Sequence, residues 1–95
     1  MPDDWRAELL EMIPYLRGQS FALKRYTEYR PDWDHDHCAV CGIKFAEFDI
    51  EGERVLHEGY AITAEYEKGA DYEWVCPECF EASKDAMHWK YVKSA

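Results

Sequence analysis

What the chain lacks closes several classes of function. No stretch approaches the roughly 18 uninterrupted apolar residues that a membrane-spanning helix needs. Positive charge is scarce, with 11 Lys and Arg against 20 Asp and Glu, a formal charge of -9. A phosphate backbone is repelled by such a surface unless a basic patch is segregated from it. The best basic candidates, Lys24, Arg25 and Arg30, are few and are mixed with Glu28 and Asp32. Nucleic acid is therefore not the expected partner. The opening residues Met-Pro-Asp-Asp-Trp offer neither the basic start nor the apolar core of a secretory signal, so a cytoplasmic protein is expected. The chain is also short. Its 95 residues make one domain, and a core of that size is often marginal without a staple. Disorder is excluded by a composition that is 47% hydrophobic and 16% aromatic.

A staple is present. Four cysteines stand in two pairs, Cys38-Ala-Val-Cys41 and Cys76-Pro-Glu-Cys79, and there is no fifth. Two residues between the sulfurs of a pair, and a long gap between the pairs, is the spacing of a tetrahedral four-cysteine zinc site. In a reducing compartment paired CxxC motifs favour metal over disulfides. One structural Zn2+ held by Cys38, Cys41, Cys76 and Cys79 is the expected cofactor. Four thiolates fill the coordination shell, whereas a catalytic zinc usually keeps one position open.

The single domain, 1–95, divides into an N-terminal helix and strand (1–30) and a four-cysteine module (31–95). Asp3 or Asp4 can cap a first helix, whose Trp5, Leu9, Met12, Ile13 and Leu16 recur at helical spacing. Pro14 should end or kink it near Ile13. Residues 20–29 alternate as a strand, with Phe21, Leu23 and Tyr29 on one face and Ala22, Lys24, Tyr26 and Glu28 on the other. Pro31 closes it. Gly42 permits the tight turn of a first knuckle. Residues 43–48 read as a short strand, 49–52 as a turn, and 60–66 with 71–75 as a hairpin turning at Lys68-Gly69. The second knuckle runs straight into a helix, with Pro77 in its first turn and Phe80, Ser83, Met87 and Tyr91 along one face, widened by Ala86. The fold class is α+β. A knuckle, a hairpin, then two cysteines opening a helix resembles a treble-clef zinc finger, with a two-hairpin zinc ribbon as the competing fold.

A second resemblance lies in three segments, His37-Cys38-Ala-Val-Cys41, Leu56-His57-Glu58-Gly59-Tyr60 and Trp74-Val75-Cys76-Pro-Glu-Cys79-Phe80. They look like a family of small, uncharacterised bacterial zinc-knuckle proteins that share an HCxxC, an LHEGY-like and a WxCxxCF segment. The resemblance implies a zinc-binding fold and brings no enzymatic activity with it.

Two classes of function follow. The first is a non-catalytic, zinc-stabilised interaction module whose acidic, aromatic-rich face steers it to a basic protein partner, in the manner of an immunity protein or an adaptor. Asp32, Trp33, Asp34 and Asp36, on the loop before the first knuckle, are the candidate contacts. Trp33, Tyr66, Tyr72 and Trp89 lie in polar sequence surroundings and read either as interface aromatics or as plugs of a small core around the metal. The alternative is a small metal-dependent enzyme or nucleic-acid-handling zinc-finger protein that uses His35, His37 and His57. Against it, His37 reads as support for the zinc sulfurs, His57 as a buried histidine satisfied by backbone, and His88 as a cation at a helix C-terminus.

Overall fold

The structure, a computed structural model, describes residues 4–27 and 35–93. The short helix α1 (Asp4–Leu10) opens the chain, and a 3-10 turn (Pro14–Leu16) follows it. Pro14 sits at the start of that turn, where its missing N–H costs nothing. The helix thus ends three residues earlier than the apolar spacing predicted. Its stripe is also broken up. Ile13 and Leu16 enter the core and Leu9 packs against it, but Trp5 and Met12 are exposed. Arg6 is buried in their place.

Two sheets carry the rest. In the four-stranded sheet, β1 (Ser20–Arg25) lies between β5 (Glu58–Ile62) and β7 (Lys90–Tyr91), and β6 (Trp74–Val75) flanks β5. β1 and β5 are antiparallel, with Phe21 opposite Ile62 and Arg25 opposite Glu58, whereas β7 runs parallel to β1. The three-stranded sheet is β2 (His35–His37), β3 (Lys44–Ala46) and β4 (Val55–Leu56). The predicted hairpin exists as β5 paired with β6, Tyr60 opposite Val75. Its strands are shorter than expected, and Lys68-Gly69 belongs to a longer loop in which Gly69 has a φ of 100°. The molecule is α+β, as its sequence pattern implies.

Helix α2 (Pro77–Met87) buries Phe80, Ser83 and Met87. Ala86 does not widen this face, because it is exposed. Tyr91 lies beyond the helix in β7 and is 56% exposed. The helix ends because His88 takes a left-handed conformation, and the chain then turns back to lay β7 beside β1.

The aromatic content fills two layers of core. Under α2, Phe80 stacks on Tyr60 with 3.8 Å between ring centroids, and Phe21 and Trp89 close the cluster. Under the knuckles, Trp74 packs on Tyr26 and Phe45. Two of the four candidate interface aromatics thereby fall to the core reading. Trp89 is buried and donates its Nε1–H to the Leu16 carbonyl at 2.9 Å, and Tyr66 is buried as well. Trp33 lies outside the described residues, and Tyr72 is half-buried. Tyr26, just past the end of β1, is also buried, and its amide donates to the His57 carbonyl at 2.8 Å.

Gly59 owes its identity to this core. A Cβ built there would lie 2.5 Å from Phe45 Cε1 and 2.7 Å from its Cζ. Phe45 is fully buried, so its ring cannot swing aside. Gly59→Ala should cost about 1–3 kcal/mol in urea denaturation, the usual penalty for overpacking. The cost should shrink in a Phe45→Leu background. Equal costs in both backgrounds would show that this contact is not the cause.

Candidate metal centre

Both knuckles are built by backbone hydrogen bonds that aim sulfurs at one point. In the first, β2 and β3 pair across the turn, with His37 opposite Lys44. The Cys38 amide donates to the Ile43 carbonyl at 2.8 Å, and the Gly42 amide to the Cys38 carbonyl at 3.0 Å. Closing so tight a loop requires Gly42 to hold a φ of 85°, a conformation that costs glycine little. In the second, Cys76 is the N-cap of α2 and its sulfur accepts the Cys79 amide at 3.4 Å. The segment 74–76 ties the two together. The Ala39 amide donates to the Trp74 carbonyl at 2.8 Å, and the Cys76 amide donates to Cys38 Sγ at 3.4 Å.

The result is a cluster in which the Sγ atoms of Cys38, Cys41, Cys76 and Cys79 all lie within 4.8 Å of one another. Cys41 and Cys76 sulfurs are 3.8 Å apart. That matches the edge, about 3.8 Å, of a tetrahedron with metal–sulfur bonds of about 2.3 Å. These four residues can hold one metal ion. Three of the four are buried and Cys41 is exposed, at the mouth of a cavity of about 570 Å³ walled by Trp5, Ile43, Arg54 and Pro77.

Sulfurs this close compete for protons. The Cys38 thiol is drawn far below its usual range by S–H donation from Cys76 and then Cys79, with backbone amides adding to the effect. Cys76 is pushed up to about 12, because its proton is held in the hydrogen bond to Cys38. Cys79 is pushed up as well, by Cys38 and then Cys76. A divalent cation can replace these protons and stabilise all four thiolates at once.

Sequence reasoning missed Arg6. Its Nε–H donates to Cys79 Sγ at 3.4 Å, and its guanidinium lies 4.4 Å from the centroid of the Trp5 ring. A four-thiolate site with a divalent ion carries a net charge of about -2, so a buried cation against one sulfur offsets part of it. α1 is therefore docked on the cysteine cluster by a hydrogen bond from a cation as well as by its apolar residues. The signal was a lone arginine in an amphipathic stripe, which helical periodicity assigns to solvent.

The histidines do not converge. Among the described residues, the four cysteines are the one group of three or more His, Cys, Asp or Glu placed to share a metal ion. His35 and His37 pack edge to face, with ring centroids 5.0 Å apart. Asp36 lies between them on β2, while Asp32, Trp33 and Asp34 lie outside the described residues. His57 is partly exposed rather than buried, and a carboxylate joins the backbone in satisfying it. Its Nδ1 lies 2.8 Å from the Ala46 carbonyl oxygen and its Nε2 lies 2.8 Å from Asp49 Oδ1. Both partners are acceptors, so both ring nitrogens must donate, which favours imidazolium. The His57 pKa is accordingly raised above 6.5, first by the Ala46 carbonyl and then by Asp49. A raised folded-state pKa contributes stability that is fully present below pH 6.5 and fades as pH rises through the folded value. An NMR titration of the ring should give a midpoint above 6.5, and Asp49→Asn should move it down. A midpoint that Asp49→Asn leaves unmoved would remove the carboxylate from the account.

The LHEGY-like segment thus has structural work at most positions. Leu56 packs against the core, His57 ties β3 and the following turn to the start of β5, Gly59 admits Phe45, and Tyr60 stacks on Phe80. No helix among the described residues is long and apolar enough to cross a membrane. Comparisons with models of protein families, with curated proteins and with solved structures return no match.

Proposed function

We propose that Cys38, Cys41, Cys76 and Cys79 hold one structural Zn2+ in a treble-clef-like finger, and that the protein is a non-catalytic module that binds a basic protein. The observation that carries this reading is the complete set of four converging sulfurs, which leaves a metal no open position for a substrate. Thiolate donors in a tetrahedral cluster favour zinc over harder ions. The order of elements favours the treble clef over a ribbon, since the second pair of cysteines opens α2. On its three segments we group the chain with the small bacterial zinc-knuckle proteins that it resembles.

Charge selects the partner. An excess of nine negative charges speeds encounter with a basic surface and slows it with nucleic acid. The basic candidates are partly neutralised, for Lys24 is paired with Asp71 at 3.0 Å. An immunity-protein-like or adaptor-like role fits this pattern. Native mass spectrometry should find one zinc per chain. Gel-shift assays at physiological salt should find no binding to duplex or single-stranded nucleic acid, while affinity capture from the host should enrich a basic protein. Tight nucleic-acid binding that weakens when Lys24 and Arg25 are replaced would overturn the reading in favour of a nucleic-acid-handling protein.

A further inference from the structure

Three tyrosines and two glutamates, with Lys68, line a second cavity of about 360 Å³ that shares no residue with the one beside the cysteines. Tyr15 comes from the 3-10 turn, Tyr66 and Glu67 from the loop after β5, and Tyr72 and Glu73 from the approach to β6. Backbone bonds hold this loop in shape. The Tyr66 amide donates to Thr63 at 3.1 Å, Gly69 to Tyr66 at 2.9 Å, and Asp71 to Ile62 at 2.8 Å. The Tyr66 and Tyr72 rings meet at an angle of 39° with centroids 6.2 Å apart, two walls of a corner. Glu73 is close enough for its charge to act on both Tyr15 and Tyr66.

The sign of the ligand follows from the lining. Aromatic faces and carboxylates both attract cations, and the whole chain is acidic. The corner already draws one, since Lys68 Nζ lies 5.4 Å from the Tyr72 centroid. Asp36, on β2, adds to the negative field there, since its charge acts on Glu73. The size falls at the lower end of small-ligand sites and leaves room for an alkylammonium group.

We propose that this corner of Tyr15, Tyr66 and Tyr72, with Glu67 and Glu73, is the seat for a lysine side chain of the partner, and that Lys68 occupies it in the free protein. This rests on the reading of the protein as a binder of a basic protein, and it supplies that reading with a site. The partner's ammonium displaces the chain's own from the Tyr72 face and takes the two carboxylates as counter-ions.

The test uses the zinc-loaded protein and two synthetic peptides, one carrying glycine-spaced lysines and one with norleucine at each lysine. Tyrosine ring resonances followed by NMR should shift saturably with the lysine peptide and not with its norleucine counterpart. Tyr15→Ala and Tyr72→Ala alter exposed or half-buried rings and should fold, and each should weaken binding about three- to tenfold. Glu73→Gln should weaken it too, and Lys68→Ala should strengthen it by removing the competitor. Equal binding of the two peptides would overturn the proposal, because the corner would then be merely apolar. So would binding that none of these four substitutions changes. The two levels separate in a pull-down with an identified basic partner. Capture that survives the Tyr15→Ala/Tyr72→Ala double variant defeats the corner alone, whereas specific lysine-peptide binding with no basic partner in the host defeats the proposed module and leaves the corner standing.

Discussion

Replacing Cys76 by serine should leave a chain with neither bound metal nor a stable tertiary structure. Cys76 supplies one of four sulfurs, caps α2 and receives the Cys79 amide. Structural zinc in small domains contributes roughly 10–16 kcal/mol of apparent binding energy, and a whole small domain is stable by only about 5–15. Loss of the ion therefore exceeds what the apolar core can offset. The near-ultraviolet circular dichroism of the variant should be flat and its amide NMR spectrum collapsed. A strong chelator should bring the parent to the same state. A serine variant that melts like the parent would refute a structural role for the site.

Trp74→Ala should be the most damaging change away from the sulfurs, at about 3–5 kcal/mol. The Trp74 side chain is 1% exposed, packs on Tyr26 and Phe45, and donates its Nε1–H to the Asp71 carbonyl at 3.1 Å. For a domain of this size the melting temperature should fall by at least about 12 °C. Metal affinity should fall with it, since the buried indole anchors the strand whose backbone carbonyl accepts the Ala39 amide of the first knuckle. Trp74→Phe should lose less, because a ring still fills part of the space. A drop of only a degree or two for the alanine variant would show that the knuckles do not depend on this core.

Much of the four-cysteine cluster was legible because its determinants are local. CxxC spacing, Gly42 and Pro77 act within a few residues, and Phe80, Ser83 and Met87 on the buried face of α2 follow from helical period. What the sequence hid depends on partners distant along the chain. β1 reads as a strand, but its pairing with β5 on one side and β7 on the other is set by tertiary packing. β7 itself is two residues long and has no period to detect. Trp89 looked exposed among polar neighbours, yet the left-handed turn at His88 carries it inward to the Leu16 carbonyl. Arg6 and Trp5 exchanged their expected places because a buried sulfur cluster reverses the usual preference, attracting the cation and leaving the indole at the rim. The alternation of apolar residues records burial against carbon and carries no trace of that attraction.

The doubling of Cys76 as helix cap and sulfur donor reaches beyond stability in the test tube. With the proposed ion held by these sulfurs, metal and fold would form one equilibrium, so each tenfold change in the free ion would move the balance between folded and unfolded chains by about 1.4 kcal/mol once the site is near saturation. Proteases act on the unfolded fraction. On the proposed zinc site, a cell short of the ion would therefore hold less of this protein, because more of it would be unfolded and open to proteolysis.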